Sequence, residues 1–307
     1  MKFFNSKSAR LYCRCLCFFL LALFLILSAF SCQKTRKKEN QSSDYEIVDK
    51  APEVDSAKKE IVNNPAPIKY DYHWTESKNI PPVAIVIDDF GQIGGDLLQG
   101  FAELDENITF SILPDLPNTA KSAQLANVYG HEVLLHIPME ALDKSQNPGK
   151  IYIKSGENAE DIKNAMNHFF DQVPQAVGAN NHMGSSATSD YQVMSFVLKE
   201  LDKKGLFFLD SKTSAQSVAL AAARDNGIGY VARDIFLDVP DVSPATINAK
   251  LASLEKYKGR EEPVIIISHC HNKAKLEAMR TFVSQLKVMG IRLIPVSEAV
   301  GKFQLPA

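Results

Sequence analysis

Carboxylate, imidazole and amide side chains, which can bind metal ions and move protons, follow the apolar stretches of this sequence. They are Asp88, Asp89, His136, Asn180, Asn181, His182, Asp210, His269 and His271. Neutral imidazole nitrogen and carboxylate oxygen hold Zn²⁺ or a similar divalent ion and leave one position open for water, whose pKa falls to about 7. Two adjacent carboxylates also allow one to bind metal while the other accepts a proton. These residue types predict a metal centre that activates water.

Each of these residues also has a purely structural interpretation. An Asp that follows a strand is often the N-cap of the next helix, which applies to Asp88 or Asp89 taken singly. His136 and His269 can each be a buried histidine bonded within the core, and Asn180-Asn181-His182 can be a polar turn. All of these interpretations would have to hold together in one region, so the pattern favours the metal centre.

The alternation of apolar and amphipathic segments predicts the elements that position these residues. Continuous apolar runs such as Val83–Ile87 are typical of buried parallel strands. The predicted strands are 83–87, 109–113, 132–137, 176–179, 206–209, 229–232, 264–268 and 292–295, and the predicted helices include 159–170, 191–203 and 273–289. About seven to eight parallel strands alternating with helices favour an α/β fold, an irregular (β/α) barrel, whose strand ends meet at one rim. His131, just before the third strand, is expected at the surface.

The first 32 residues have the layout of a targeting segment. Positive residues precede an apolar stretch at 15–30, which is shorter than the roughly 20 residues that a membrane span needs. Cys32 closes this segment and is the predicted lipidation site of a lipoprotein, with an uncleaved anchor or free secretion as alternatives. All three place the remaining chain outside the cytoplasm, and the preferred alternative is a membrane-anchored lipoprotein of the cell envelope that faces the periplasm or the exterior.

The rest of the chain divides into a tether and one domain. Residues 33–79 are polar and charged without a sustained period, so they cannot bury enough apolar surface to fold and are predicted to be disordered. Residues 80–307 contain all of the predicted strands and are expected to form a single barrel domain. The net charge of −2 lacks the basic excess of a nucleic-acid-binding protein, so no nucleic-acid partner is expected.

Four segments in order resemble the motifs of the divergent polysaccharide deacetylase family. They are Ala84–Gly91, Leu135–Glu140, Asn181–Ser185 and Phe208–Thr213, and the resemblance extends through Phe236–Asp238 to His269. It covers nearly all of residues 80–300 and implies an irregular (β/α) barrel of the polysaccharide deacetylase type. It also implies that an Asp-Asp pair supplies a base and a metal ligand, and that two histidines complete the site.

The resemblance leads to specific roles. Metal binding is assigned to Asp89, His136 and His182, catalysis to Asp88, His269 and Asp210, and substrate binding to Glu140, Asn181, Ser185 and Asp238. The metal is expected to be divalent, with Zn²⁺ preferred. The last motif of the family usually reads His-Pro-Arg-Pro, whereas here it reads His269-Cys270-His271-Asn272, so His271 replaces the Arg.

The leading hypothesis is metal-dependent removal of acetyl groups from a glycan of the cell envelope. Asp88 would accept the proton of the attacking water, His269 would protonate the leaving amine, and Asp210 would orient an imidazole or bind substrate. The altered last motif motivates an alternative, a non-catalytic envelope protein that binds a glycan or a partner. A glycosidase that uses Asp88 and Asp210 is a third hypothesis.

Overall fold

The computed structural model describes residues 80–300, which contain nine strands and seven helices. The strands are β1 (Val83–Phe90), β2 (Thr109–Ile112), β3 (Val133–Met139), β4 (Gly178–Met183), β5 (Phe207–Asp210), β6 (Tyr230–Ala232), β7 (Ile235–Phe236), β8 (Val264–His269) and β9 (Leu293–Ile294). The helices are α1 (Gly95–Ala102), α2 (Thr119–Tyr129), α3 (Ala159–Gln172), α4 (Tyr191–Asp202), α5 (Ala219–Asn226), α6 (Pro244–Ser253) and α7 (Lys273–Val288). The predicted targeting segment 1–32, with Cys32, and the predicted tether 33–79 lie outside the described residues.

The strands form one parallel sheet in the order β6-β5-β4-β3-β2-β1-β8-β7, with β9 paired to β1. Within residues 80–300 no ladder joins β6 to β7, so the barrel is incomplete on that side. The predicted fold class, an irregular α/β barrel of parallel strands, is confirmed. Prediction missed only β7, because two residues are too few to show a period.

Strands β1 and β3 are mostly apolar, as is typical of strands that are covered on both faces. Every residue of β1 and of β3 is buried. The helices turn amphipathic faces to the sheet, and four of them begin at side chains that accept hydrogen bonds from the first turn. These caps are Asn158 before α3, Asp190 before α4, Ser243 before α6 and Asn272 before α7. None of the helices in the described part of the chain has the length and apolarity to cross a membrane.

His131 is buried, which differs from the surface position expected for it. Its ring nitrogens lie 2.9 Å from the carbonyl oxygen of Ile108 and 2.8 Å from that of Ala102. The ring also stacks on Phe110, with centroids 4.3 Å apart. The histidine thus ties the end of α1 and the start of β2 to the chain before β3, contacts that no local pattern predicts.

Candidate metal centre

A bulge at the end of β1 turns two consecutive carboxylates toward the same histidine. The register between β1 and β2 shifts between Ile87 and Phe90, and Asp89 adopts a φ of 69°. Successive side chains of a regular strand point to opposite faces, and a bulge changes that direction. As a result, His136 Nε2 lies 3.8 Å from Asp88 Oδ2 and 3.3 Å from Asp89 Oδ1.

Asp89, His136 and His182 converge as a group that can hold a metal ion. Each offers one ligand atom, and these atoms all lie within 4.8 Å of one another. Asp89 Oδ1 is 2.9 Å from His182 Nδ1, yet it is buried and accepts no well-aligned hydrogen bond. A buried carboxylate oxygen without a hydrogen bond is costly, and a cation between these ligands would offset that cost. The residues therefore fit a divalent ion.

Asn180 links the carboxylates to the histidine. It lies opposite His136 in the ladder between β3 and β4. Its Nδ2 donates to Asp88 Oδ1 at 2.9 Å, which leaves its Oδ1 to accept from His136 Nδ1 at 2.8 Å and from Ser111 Oγ at 2.5 Å. In the neutral form with the proton on Nδ1, the Nε2 atom of His136 carries the lone pair that a metal ligand needs, and Nε2 faces Asp89 Oδ1.

Burial and neighbouring charges move the pKa values of the two carboxyl groups in opposite directions. Burial raises the pKa of Asp88, although the charges of His136 and His269 oppose this shift. Burial would also raise the pKa of Asp89, but contacts with His136, His182 and His271 hold it well below the usual value. Asp89 therefore remains an anion suited to a metal, and Asp88 is the stronger base of the pair.

His271 contacts the metal-binding carboxylate from the other side. Its Nε2 lies 2.6 Å from Asp89 Oδ2, while Oδ1 of the same carboxylate faces His136 and His182. A partner on the second oxygen orients a ligating carboxylate. The departure of the last motif from the family pattern thus places an imidazole against Asp89.

His269 is held by a buried carboxylate. Its Nδ1 lies 2.9 Å from Asp238 Oδ2, and Lys275 Nζ contacts the same oxygen at 2.6 Å. These contacts outweigh burial and lower the pKa of Asp238 to about 2. Burial would lower the pKa of His269, but the charge of Asp238 raises it above its usual value. The imidazole therefore holds its proton more strongly than an ordinary histidine, and the contact with Asp238 is made through Nδ1 and leaves Nε2 free of it.

Two residues predicted to act on substrate are engaged elsewhere in the fold. Asp238 supports His269, and its side chain has no exposed surface. Asp210 contacts no imidazole: its Oδ1 accepts from the Lys212 amide, and its Oδ2 accepts from Ser217 and Tyr230 hydroxyls. The structure thus differs from the predicted role of Asp210 in orienting an imidazole. A glycosidase needs a second available carboxylate, and Asp210 does not supply one.

The other three residues assigned to substrate binding brace loops of the same rim. Asn181 donates to the Met183 carbonyl and accepts from the Ser211 amide, and it is 1% exposed. Ser185 accepts a hydrogen bond from the Leu142 amide. Glu140 accepts from the Ser155 amide and lies 2.5 Å from Lys144 Nζ. Their contact with substrate stays a prediction.

Four contributors to the site were given no role from sequence. Asn180 contacts Asp88, and His271 contacts Asp89. Ser111 contacts Asn180, and Lys275 contacts Asp238, which supports His269. Asn180 and His271 closely follow strands predicted from the sequence, so their positions were a usable signal. Ser111 lies within β2 and Lys275 within α7, where neither the residue type nor the spacing points to a site.

Known proteins resemble about three fifths of this chain. It is 35% identical over 189 residues to YibQ of Escherichia coli (strain K12), an uncharacterized protein, with 62% of this chain and 58% of that protein aligned. An uncharacterized protein of Haemophilus influenzae is 33% identical over 186 residues, which are 60% of this chain and 64% of that protein. The chain therefore spans about three fifths of the length of these relatives.

A solved structure and a family pattern agree with the sequence relatives. The crystal structure of the uncharacterized protein ATU2773 from Agrobacterium tumefaciens C58 superposes with a TM-score of 0.66 at 24% identity, covering 74% of this chain and 91% of that one. This similarity shows a shared fold. The pattern of the divergent polysaccharide deacetylases matches residues 85–300, which include all of the metal centre. The chain therefore belongs to the divergent polysaccharide deacetylase family.

Proposed function

We propose that this protein is a metal-dependent hydrolase that removes acetyl groups from a glycan of the cell envelope. The observation that carries the proposal is the buried Asp89 Oδ1, which accepts no aligned hydrogen bond and faces ring nitrogens of His136 and His182. One carboxylate and two imidazoles match the ligands of catalytic Zn²⁺ sites, which keep an open position. When bound, such an ion polarises an acyl carbonyl and activates water.

The protein's own residues supply the proton transfers on either side of that position. Asp88 is buried beside His136, and its raised pKa suits it to accept a proton from the attacking water. The hydrogen bond to Asp238 raises the pKa of His269 despite its burial, and the Nδ1 contact leaves its Nε2 to protonate the leaving nitrogen. A carboxylate base and an imidazolium acid are the two groups that amide hydrolysis needs.

Metal analysis of the purified protein tests the proposal directly. We expect one bound ion per chain, and acetate release from N-acetylglucosamine oligomers. Asp89→Ala should lose the ion, whereas Asp88→Asn should keep it and lose turnover. Asp171→Asn removes one negative charge from an exposed position of α3 and serves as the matched control.

Two results would overturn this assignment. A wild-type protein that binds no divalent ion would exclude the metal mechanism. A wild-type protein that binds glycan without turnover, with the same affinity in Asp88→Asn, would instead be a binding protein on this fold.

We also propose that the protein is exported and anchored through lipidated Cys32. The support is the residue pattern of 1–32 alone, a positive stretch followed by an apolar run and a cysteine. Mass spectrometry of the mature amino terminus tests this proposal. A chain that begins with unmodified Met1 would contradict lipidation.

A further inference from the structure

A cavity with a volume of about 550 Å³ lies between β7 and α6, apart from the residues of the metal centre. Its lining combines three cations with apolar surface: Arg233, Phe236, Val239, Thr246, Lys250 and Lys256. Phe236 belongs to β7, Lys250 lies in the last turn of α6, and Lys256 follows that helix. This cavity is separate from Asp89, His136 and His182, none of which line it.

Stacked rings connect this cavity to the catalytic machinery. The guanidinium of Arg233 lies 3.7 Å from the ring centroid of Phe236, and the Phe236 ring stacks on His269 with centroids 5.7 Å apart. The Phe236 ring thus contacts both the proposed acid and a cation of the cavity.

The three cations of the cavity make no close ion pair in the described part of the chain, although Asp210, Asp234 and Asp88 act on Arg233, and Asp238 acts on Lys250, at longer range. Asp234, the acidic residue of the lining, is paired with Arg260 at 2.8 Å. Burial and the charge of Arg233 lower the pKa of Lys250, so the cations repel one another. An anion that enters the cavity would relieve this repulsion.

We propose that this cavity binds an anionic group, a carboxylate or a phosphate, carried by the glycan whose acetyl group is bound at the metal centre. The inference rests on the proposed function and narrows its substrate class to acidic glycans. The apolar surfaces of Phe236 and Val239 suit the C–H face of a sugar ring, and Lys250 and Lys256 supply donors for the anion. Arg233 contributes charge while its Nε donates to the Ser211 carbonyl.

Calorimetric binding to the full-length, metal-loaded protein in detergent tests the proposal. A hyaluronan tetrasaccharide, which carries glucuronate and N-acetylglucosamine, is compared with the neutral N-acetylglucosamine tetramer. We expect the acidic probe to bind about tenfold more tightly at low ionic strength, and high salt should reduce this preference. A second comparison, of the affinity for N-acetylglucosamine 6-phosphate with that for N-acetylglucosamine, tests a phosphate in place of a carboxylate. The anion that increases the affinity more is the one that the cavity prefers.

The double variant Lys250→Gln/Lys256→Gln should lose the preference for the acidic probe and keep its affinity for the neutral one. Arg233 stays unchanged because it also holds the loop after β5. Lys121→Gln/Lys199→Gln changes the net charge equally at exposed positions of α2 and α4, and it should keep the preference.

The outcomes separate this inference from the proposed function. Equal affinity for acidic and neutral probes in the wild type, or a preference that survives in the double variant, would overturn the inference even if acetate is released. A lysine-dependent preference without bound metal or acetate release would support the anion site and overturn the hydrolase.

Discussion

Two buried carboxylates near the ends of strands β1 and β5 have opposite surroundings. Asp89 ends the regular part of β1, and its Oδ1 accepts no aligned hydrogen bond. Asp210 ends β5, and hydrogen bonds from Lys212, Ser217 and Tyr230 reach its two oxygens at 2.8, 2.7 and 3.1 Å. Burial and Asp210 in turn raise the pKa of Tyr230, which keeps its hydroxyl protonated as a donor.

The difference shows how a carboxylate that is suited to binding a metal ion differs from one that only stabilises a loop. Both residues are Asp, both follow apolar strands and both are less than 5% exposed. Asp210 already has its hydrogen bonds, so it stabilises the loop after β5. Asp89 gains a partner for Oδ1 only when a cation is present, so it is suited to binding.

The largest expected effect is that of Asp89→Asn on metal affinity. Replacing the anionic ligand by an amide should weaken binding by more than about 100-fold, because even partners of ligands contribute 10- to 100-fold. Titration of the metal-free protein with Zn²⁺ measures this affinity. An Asp89→Asn protein with wild-type affinity would remove the distinction between the two carboxylates.

Asp210→Asn should show the reverse pattern. Hydrogen bonds to a charged group contribute about 1.5–3 kcal/mol, so we expect a loss of about 2 kcal/mol in the free energy of unfolding, with metal affinity unchanged. Urea denaturation of the metal-free protein measures the loss. Metal affinity that fell along with stability would show that Asp210 belongs to the centre.

The carboxylate that supports His269 predicts a pH dependence of stability. The pKa of Asp238 is lowered from 3.8 to about 2, so its contribution is complete above pH 4 and is lost as the pH falls towards 2. This shift corresponds to about 2 kcal/mol. Denaturation curves of the wild type and Asp238→Asn should therefore converge as the pH falls from 4 to 2. Curves that stay parallel, as expected for the control Asp171→Asn, would contradict this account.

The smallest effect is expected for Glu140→Gln. Its ion pair with Lys144 is largely exposed, and such pairs contribute less than about 1 kcal/mol to the free energy of unfolding. If Glu140 only braces the loop, glycan affinity should also stay unchanged. A tenfold weaker binding of glycan, with stability unaltered, would instead restore the predicted contact with substrate.

Much of the fold was predictable because parallel strands and amphipathic helices leave local patterns. Runs such as Val83–Ile87 appear in the structure within the longer strand β1. The bounds were less accurate, since β4 starts at Gly178 and extends to Met183, beyond the apolar run predicted at 176–179. Gly178 also has a reason that only packing shows: a Cβ there would lie 2.6 Å from the ring of Phe207.

The candidate site was predictable in its residue types and only partly in its contacts. Asp89, His136 and His182 were grouped from strand ends and family motifs, and the structure brings them together. Asn180 was noticed at the same strand end without a role, although it connects Asp88 to His136. The residue types did not reveal this link, because the two partners stand 92 and 44 positions away in the chain.

The sequence by itself determined the order of strands and helices, the family, and the set of polar residues that stand at strand ends. Tertiary structure decided which of those residues are free to act. The physical reason is that a buried polar atom needs a partner, and here the partners come from distant segments. Ser217 and Tyr230 donate hydrogen bonds to Asp210, and Lys275 and His269 contact Asp238. Asp89 Oδ1 accepts no aligned hydrogen bond and is therefore available to a metal ion.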